Sequence, residues 1–133
     1  MKIKITIKRA GVSAIATIND ENQVGNSFYK KLPIKAPLYH ARWCGNEVFA
    51  PIGQVEYKEV NQTVFPSIGE ISITPAGGGY NFGIWYGKSW AFGPEGYNPV
   101  SIIGKIEGEL TDFVKACNDC VIKGADEVLI EKI

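Results

Sequence analysis

Between Tyr39 and Phe49 the chain sets His40, Arg42, Cys44 and Glu47 close together, the densest grouping of chemically capable side chains it has. An arginine brings a planar fork of donors suited to a carboxylate or a carbonyl oxygen. A histidine can carry a proton near neutral pH. If Gly45-Asn46 forms a two-residue hairpin turn, Cys44 faces Glu47, Trp43 faces Val48 and Arg42 faces Phe49. His40, Arg42, Cys44, Glu47 and Phe49 then share one strand face, and Tyr39, Ala41, Trp43, Val48 and Ala50 share the other. The second set reads as core. The first reads either as a ligand anchor centred on Arg42 or as a solvated face with a modest Arg42–Glu47 ion pair.

A second grouping is aromatic. Tyr80, Phe82, Ile84 and Tyr86 fall on one face of a strand, with Asn81, Gly83, Trp85 and Gly87 on the other. The two glycines leave space beside Trp85 for a ligand or a crossing backbone. Trp90, Phe92 and Tyr97 lie in a loop, where they can line a pocket rim or form a contact between copies of the chain. The ligand-binding candidates are therefore His40, Arg42, Glu47, Phe49, Tyr80, Phe82, Trp85 and Trp90; no catalytic residue can be assigned.

Gly77-Gly78-Gly79 is not followed by the lysine and hydroxyl residue of a phosphate loop, and a strand pattern succeeds it, so it reads as a turn. Cys117 and Cys120 have the spacing of a redox or metal pair, but a metal needs two further ligands and none stands nearby. They also fall late in a helix, away from the helix start that activates a thiol. No metal and no cofactor is expected.

The elements that must position these residues follow from periodicity. Ile3, Ile5 and Ile7 alternate with polar residues as in a half-buried strand, Ala10-Gly11 turns the chain, and Val12 to Ile18 returns. Asp20 with Gln23 resembles a capping box. Val24, Phe28 and Leu32 then share a helix face, and Pro33 stops the helix. A hairpin is expected over Ala36–Cys44 and Glu47–Ile52, a short strand over Gln54–Val60, and further strands at Ile71–Thr74, Tyr80–Tyr86 and Val100–Ile106. Lys88 to Pro99 reads as a long loop. Leu110, Phe113, Val114 and Cys117 mark a second amphipathic helix, and Val128–Ile133 closes the chain. Many strands with two helices predict an α+β, mainly β, closed barrel, with residues 1–133 forming one domain.

Fourteen basic residues balance fourteen acidic ones, so the basic surplus of a nucleic-acid binder is missing and no nucleic-acid partner is expected. The opening MKIKITIKR lacks the apolar centre of a signal peptide, and no stretch approaches a membrane-spanning length. With three cysteines, an odd number, a cytoplasmic location without membrane association is the expectation.

The order hairpin, helix, strands, late helix and final strand resembles that of cyclophilins. PVSIIGKIEGELTDFVKAC, from Pro99 to Cys117, is similar to the stretch in which a VFGKV strand runs through EG into a helix. GEISITPAGGGYNFGIWYG, from Gly69 to Gly87, is similar to the paired strands around a glycine-rich turn. YHAR, from Tyr39 to Arg42, resembles the F-H-R that carries the isomerase arginine, set one residue later. Where the isomerases place a glutamine and paired glycines, Phe49-Ala50-Pro51-Ile52-Gly53 stands instead. The chain thus looks closest to the small bacterial and archaeal proteins of cyclophilin-like fold and unassigned function. The resemblance implies a cyclophilin-like closed β-barrel with two helices, binding a small polar molecule or short peptide in a wall pocket with Arg42 as the anchoring cation. Peptidyl-prolyl isomerisation is the first alternative, disfavoured by the shifted arginine and missing glutamine. An accessory subunit in amide or ureide metabolism and a structural homo-oligomeric module are the others.

Overall fold

A computed structural model describes residues 1–133. β1 (Lys2–Ile7) turns Ile3, Ile5 and Ile7 to one side, where all three are wholly shielded from solvent. β2 (Val12–Ile18) returns antiparallel after Gly11, whose φ of +68° suits the turn. α1 (Gln23–Lys30) begins two residues later than the Asp20 capping box predicted. Its cap is Asn22, whose Oδ1 accepts the Gly25 N–H at 2.8 Å while its amide donates to the Ile102 carbonyl at 3.0 Å. One side chain thus both caps the helix and ties it to the sheet.

β3 (Ile34–His40), β4 (Gly45–Gly53), β6 (Glu70–Ala76), β7 (Gly79–Ser89), β10 (Val100–Ile106) and β11 (Asp126–Lys132) complete the wall, with the short β5 (Gln62–Thr63) attached to β10. The order β2-β1-β11-β3-β4-β7-β6-β10 closes on itself through β10 and β2, giving an eight-stranded antiparallel barrel with two helices, mainly β as expected. The second helix, α2, spans Thr111–Lys123 and packs against β2, β3 and β4. Neither helix is long and apolar enough to cross a membrane.

The closing seam depends on Gly104, which stands opposite Ile18. A Cβ there would collide with the Thr17 carbonyl oxygen, part of a backbone that cannot swing aside. Gly104→Ala is therefore expected to cost about 1–3 kcal/mol by overpacking, read as a lower urea midpoint. An unchanged midpoint would mean that the seam yields freely.

The interior is filled. Phe82 of β7 stacks on Phe28 of α1 with centroids 5.0 Å apart and planes at 9°. Val48, Ala50, Ile71, Ile73, Ile84 and Ile103 belong to the same core, and α2 adds Phe113, Ala116 and Cys117. Burial pushes the Cys117 and Cys120 thiols up, which leaves them protonated packing residues.

Three local expectations fail, each for a physical reason. Gly45-Asn46 is not the hairpin turn: residues 41–44 make the connection and Gly45 opens β4. Gly45 is needed there for its φ of +72° and because a Cβ would lie 3.0 Å from the Lys88 carbonyl of β7. Residues 54–60 form no strand, because their bonds and side chains go elsewhere: Ser27 Oγ accepts the Glu56 N–H, and Val55, Tyr57 and Val60 pack against the core. The expected loop at 88–99 contains the end of β7 and a small hairpin, β8 (Phe92–Gly93) paired with β9 (Gly96–Tyr97).

Candidate functional site

Because strand residues alternate, the side chains that do not enter the barrel face outward together. Ser72 of β6 pairs with Gly83 of β7, Gly83 with Phe49 of β4, and Phe49 with Tyr39 of β3, a row running across four strands. Beside it lie Glu47, opposite Trp85, and Thr74, opposite Asn81. The β8–β9 hairpin folds over this outer face. It is held by Cys44 Sγ donating to the Phe92 carbonyl at 2.9 Å, Ala91 N–H to the Val64 carbonyl at 2.8 Å and Trp90 N–H to the Cys44 carbonyl at 3.2 Å.

Between wall and hairpin is a cavity of about 520 Å³. Its apolar sides are Tyr39, Trp43, Phe49, Trp85 and Phe92; its polar groups include His40, Arg42, Glu47, Thr74, Asn81 and Asn98. Both volume and composition suit a small ligand.

Glu47 is the unusual member. It is only 9% exposed, and it forms no ion pair. Gly83 makes its position possible: a Cβ there would lie 2.6 Å from Glu47 Oε2 and 2.8 Å from Ser72 Oγ. The space that the glycine leaves beside Trp85 is thus taken by a carboxyl and a hydroxyl. Ser72 Oγ is in turn fixed by accepting the Trp85 Nε1–H at 2.8 Å. Burial pushes the Glu47 carboxyl up to about 8, moderated by the Cys44 thiol beside it. Burial likewise pushes Cys44 up to about 11, with Glu47 adding to the rise. Near neutral pH this is a protonated, uncharged pair, and Cys44 is a poor nucleophile. The Thr74 hydroxyl, also on the cavity wall, is buried without a hydrogen-bond partner.

His40 occupies different ground from Glu47. It pairs with Val48, an inward residue, so β3 runs with the opposite parity to the predicted one: Tyr39, not His40, joins Phe49 outside. The His40 Nδ1–H donates to the Ala41 carbonyl at 2.8 Å, which leaves Nε2 to accept the Tyr86 hydroxyl at 2.5 Å. Burial pushes that phenol up to about 12, so it keeps its proton for this bond. Arg42 is exposed on the cavity rim, and neither it nor Glu47 forms the expected cross-strand ion pair.

Of the candidate residues, His40, Arg42, Glu47, Phe49 and Trp85 line the cavity. Phe82 is a fully buried core residue. Tyr80 lies at the far end of β7 against Tyr57, centroids 5.3 Å apart. Trp90 is 40% exposed beside Gly45 and does not line the cavity. Sequence reasoning missed Tyr39, Trp43, Thr74, Asn81 and Asn98. For Asn81 the period-2 signal was available, since it shares a strand face with Gly83 and Trp85.

Fold and site together define a closed, mainly β barrel with a covered cavity on its outer wall. The chain belongs to the family described as "Protein of unknown function (DUF3830)", which it matches over residues 5–131. No curated protein matches it. Among solved structures it is similar to McbB in complex with tryptophan, with a TM-score of 0.75 and 18% identity over 98% of this chain. This chain spans 44% of that McbB chain. It is also similar to the hypothetical protein AF2241 from Archaeoglobus fulgidus, solved in solution, with a TM-score of 0.65 and 18% identity, covering 100% of this chain and 95% of the other.

Proposed function

We propose that this protein binds a small polar molecule with a flat apolar body in the outer-wall cavity. The observation that carries the reading is the cavity of about 520 Å³, in which aromatic walls surround a buried carboxyl and a buried hydroxyl without a partner. Such a mixture of apolar walls and few convergent polar groups is what ligand sites have and packed cores lack. The tryptophan complex of McbB, on a chain of which nearly all of this one is a structural match, supports it. The arrangement of hairpin, helix, wall strands, late helix and final strand supports reading the barrel as cyclophilin-like.

Arg42 is the rim anchor in this reading: exposed and without an ion-pair partner, it has its donors free for a carboxylate or carbonyl oxygen of the guest. Arg42→Ala is expected to weaken binding of an anionic guest by about 1.5–3 kcal/mol, the worth of a hydrogen bond to a charged group. Arg42→Lys should lose much of the same affinity, because the fork is gone although the charge remains. Folding stability should move by less than about 1 kcal/mol in both. Calorimetry with tryptophan, indole carboxylates and small aromatic amides tests this. A compound that binds wild type and both variants equally removes Arg42 from the site, and saturable binding by none of them overturns the cavity reading.

A further inference from the structure

We infer that Glu47 is the recognition point for a protonated amine, so that the guest of this cavity is a small aromatic ammonium compound. The inference rests on the binding function proposed above and adds the chemical class of the ligand.

The geometry is that of a built acceptor. The carboxyl lies in the space that Gly83 leaves over the wall, is more than nine-tenths shielded, and lines the cavity between Trp85 and Phe49. A carboxylate withdrawn from water needs a cation or several donors to offset its desolvation. No lysine lines the cavity, and Arg42, on the rim, makes no ion pair with it. Trp85 Nε1–H is committed to Ser72, and the single S–H of Cys44, which lies beside the carboxyl, is committed to the Phe92 carbonyl. The protein therefore leaves the position opposite Glu47 for a donor it does not itself supply. The surroundings specify what carries that donor: aromatic faces on several sides favour a flat guest and add cation–π attraction for an ammonium beside them. The Thr74 hydroxyl, buried and without a partner, offers a further acceptor on the same wall.

The other titratable and charged groups lining the cavity are Tyr39, His40, Arg42 and Cys44. β6 and β7 present only uncharged residues to it. Seating an ammonium against Glu47 stabilises its ionised form, so below about pH 8 the carboxyl must release its proton as the guest binds. The proton passes to solvent, and charge balances within the complex.

Tryptamine and its uncharged shape-mate 3-ethylindole test the inference. By calorimetry above about pH 8, where Glu47 is ionised, tryptamine is expected to bind wild type about tenfold or more tighter than 3-ethylindole. In Glu47→Gln the preference should fall to about threefold or less while 3-ethylindole affinity is kept. Repeating the tryptamine titration near pH 7 in buffers of different ionisation enthalpy should show close to one proton released per guest in wild type. This readout needs no variant to fold. Equal binding of the two compounds to wild type, or a preference for tryptamine that Glu47→Gln keeps in full, overturns the ammonium inference and leaves the cavity reading standing. Binding of neither overturns the ammonium inference, and the cavity reading falls with it if tryptophan, the indole carboxylates and the aromatic amides also fail to bind.

Discussion

The stability of the wild type is expected to fall as pH rises from about 5 to about 8, and Glu47→Gln is expected to abolish most of that fall. In the unfolded chain the carboxyl titrates near its ordinary value of 4.5; in the folded protein burial holds it near 8. Between those values the folded state keeps a proton that the unfolded state has released, so each pH unit favours unfolding by about 1.4 kcal/mol. The penalty is absent below the unfolded value, grows through the window and is complete above about pH 8, where it amounts to roughly 3–5 kcal/mol. Glutamine keeps the shape and carries no proton to lose. Urea denaturation of both proteins across this range measures the difference directly. Parallel profiles for wild type and Glu47→Gln would show that the folded carboxyl is solvated after all.

Phe82→Ala is expected to cost about 3–5 kcal/mol of stability, as for the truncation of other large core aromatics. The ring is wholly buried and stacked on Phe28, so its loss opens a void that α1 and the sheet cannot both close. Phe49→Ala, on the neighbouring strand β4 but on the outer face, should behave in the opposite way. It removes a half-buried cavity wall, costing far less stability and weakening guest binding. Denaturation midpoints and tryptophan or tryptamine titrations of the two variants separate the roles. A Phe82→Ala protein of near wild-type stability would contradict the packing described here.

Much of the barrel was legible because its strands obey a strict alternation. The isoleucines of β1, the return strand Val12–Ile18 and the two faces of β7 follow from period-2 patterning, which burial on one side imposes, whereas in Val100–Ile106 a bulge between Ile102 and Gly104 breaks the alternation. On β4, Glu47 and Phe49 were likewise placed opposite to Val48 and Ala50, as found. The failure came at the connection into β4. In sequence Gly45 reads as a turn residue because glycine serves turns, whereas in the fold it serves a close approach to the Lys88 carbonyl at the start of a strand. That single misplacement shifts the pairing partner of β3 and inverts which of Tyr39 and His40 faces out. Phe82 and Trp85 carry the same aromatic signal in sequence, and only the closure of the barrel decides that one fills the interior and the other floors a cavity. The hairpin over the cavity was invisible for another reason: β8 and β9 are two residues each, too short for any periodicity to register.

The alternation along β7 has a consequence for how such a protein can change. Phe82, Ile84 and Tyr86 serve the interior, while Asn81, Gly83 and Trp85 serve the cavity from the same stretch of chain. Selection can therefore rewrite every second residue to suit a new guest without disturbing the packing that holds the barrel shut. Glycine 83 is the exception, since any side chain there would displace the carboxyl at the cavity floor. One strand thus works as two independent scripts, a fixed one read from inside and an editable one read from outside.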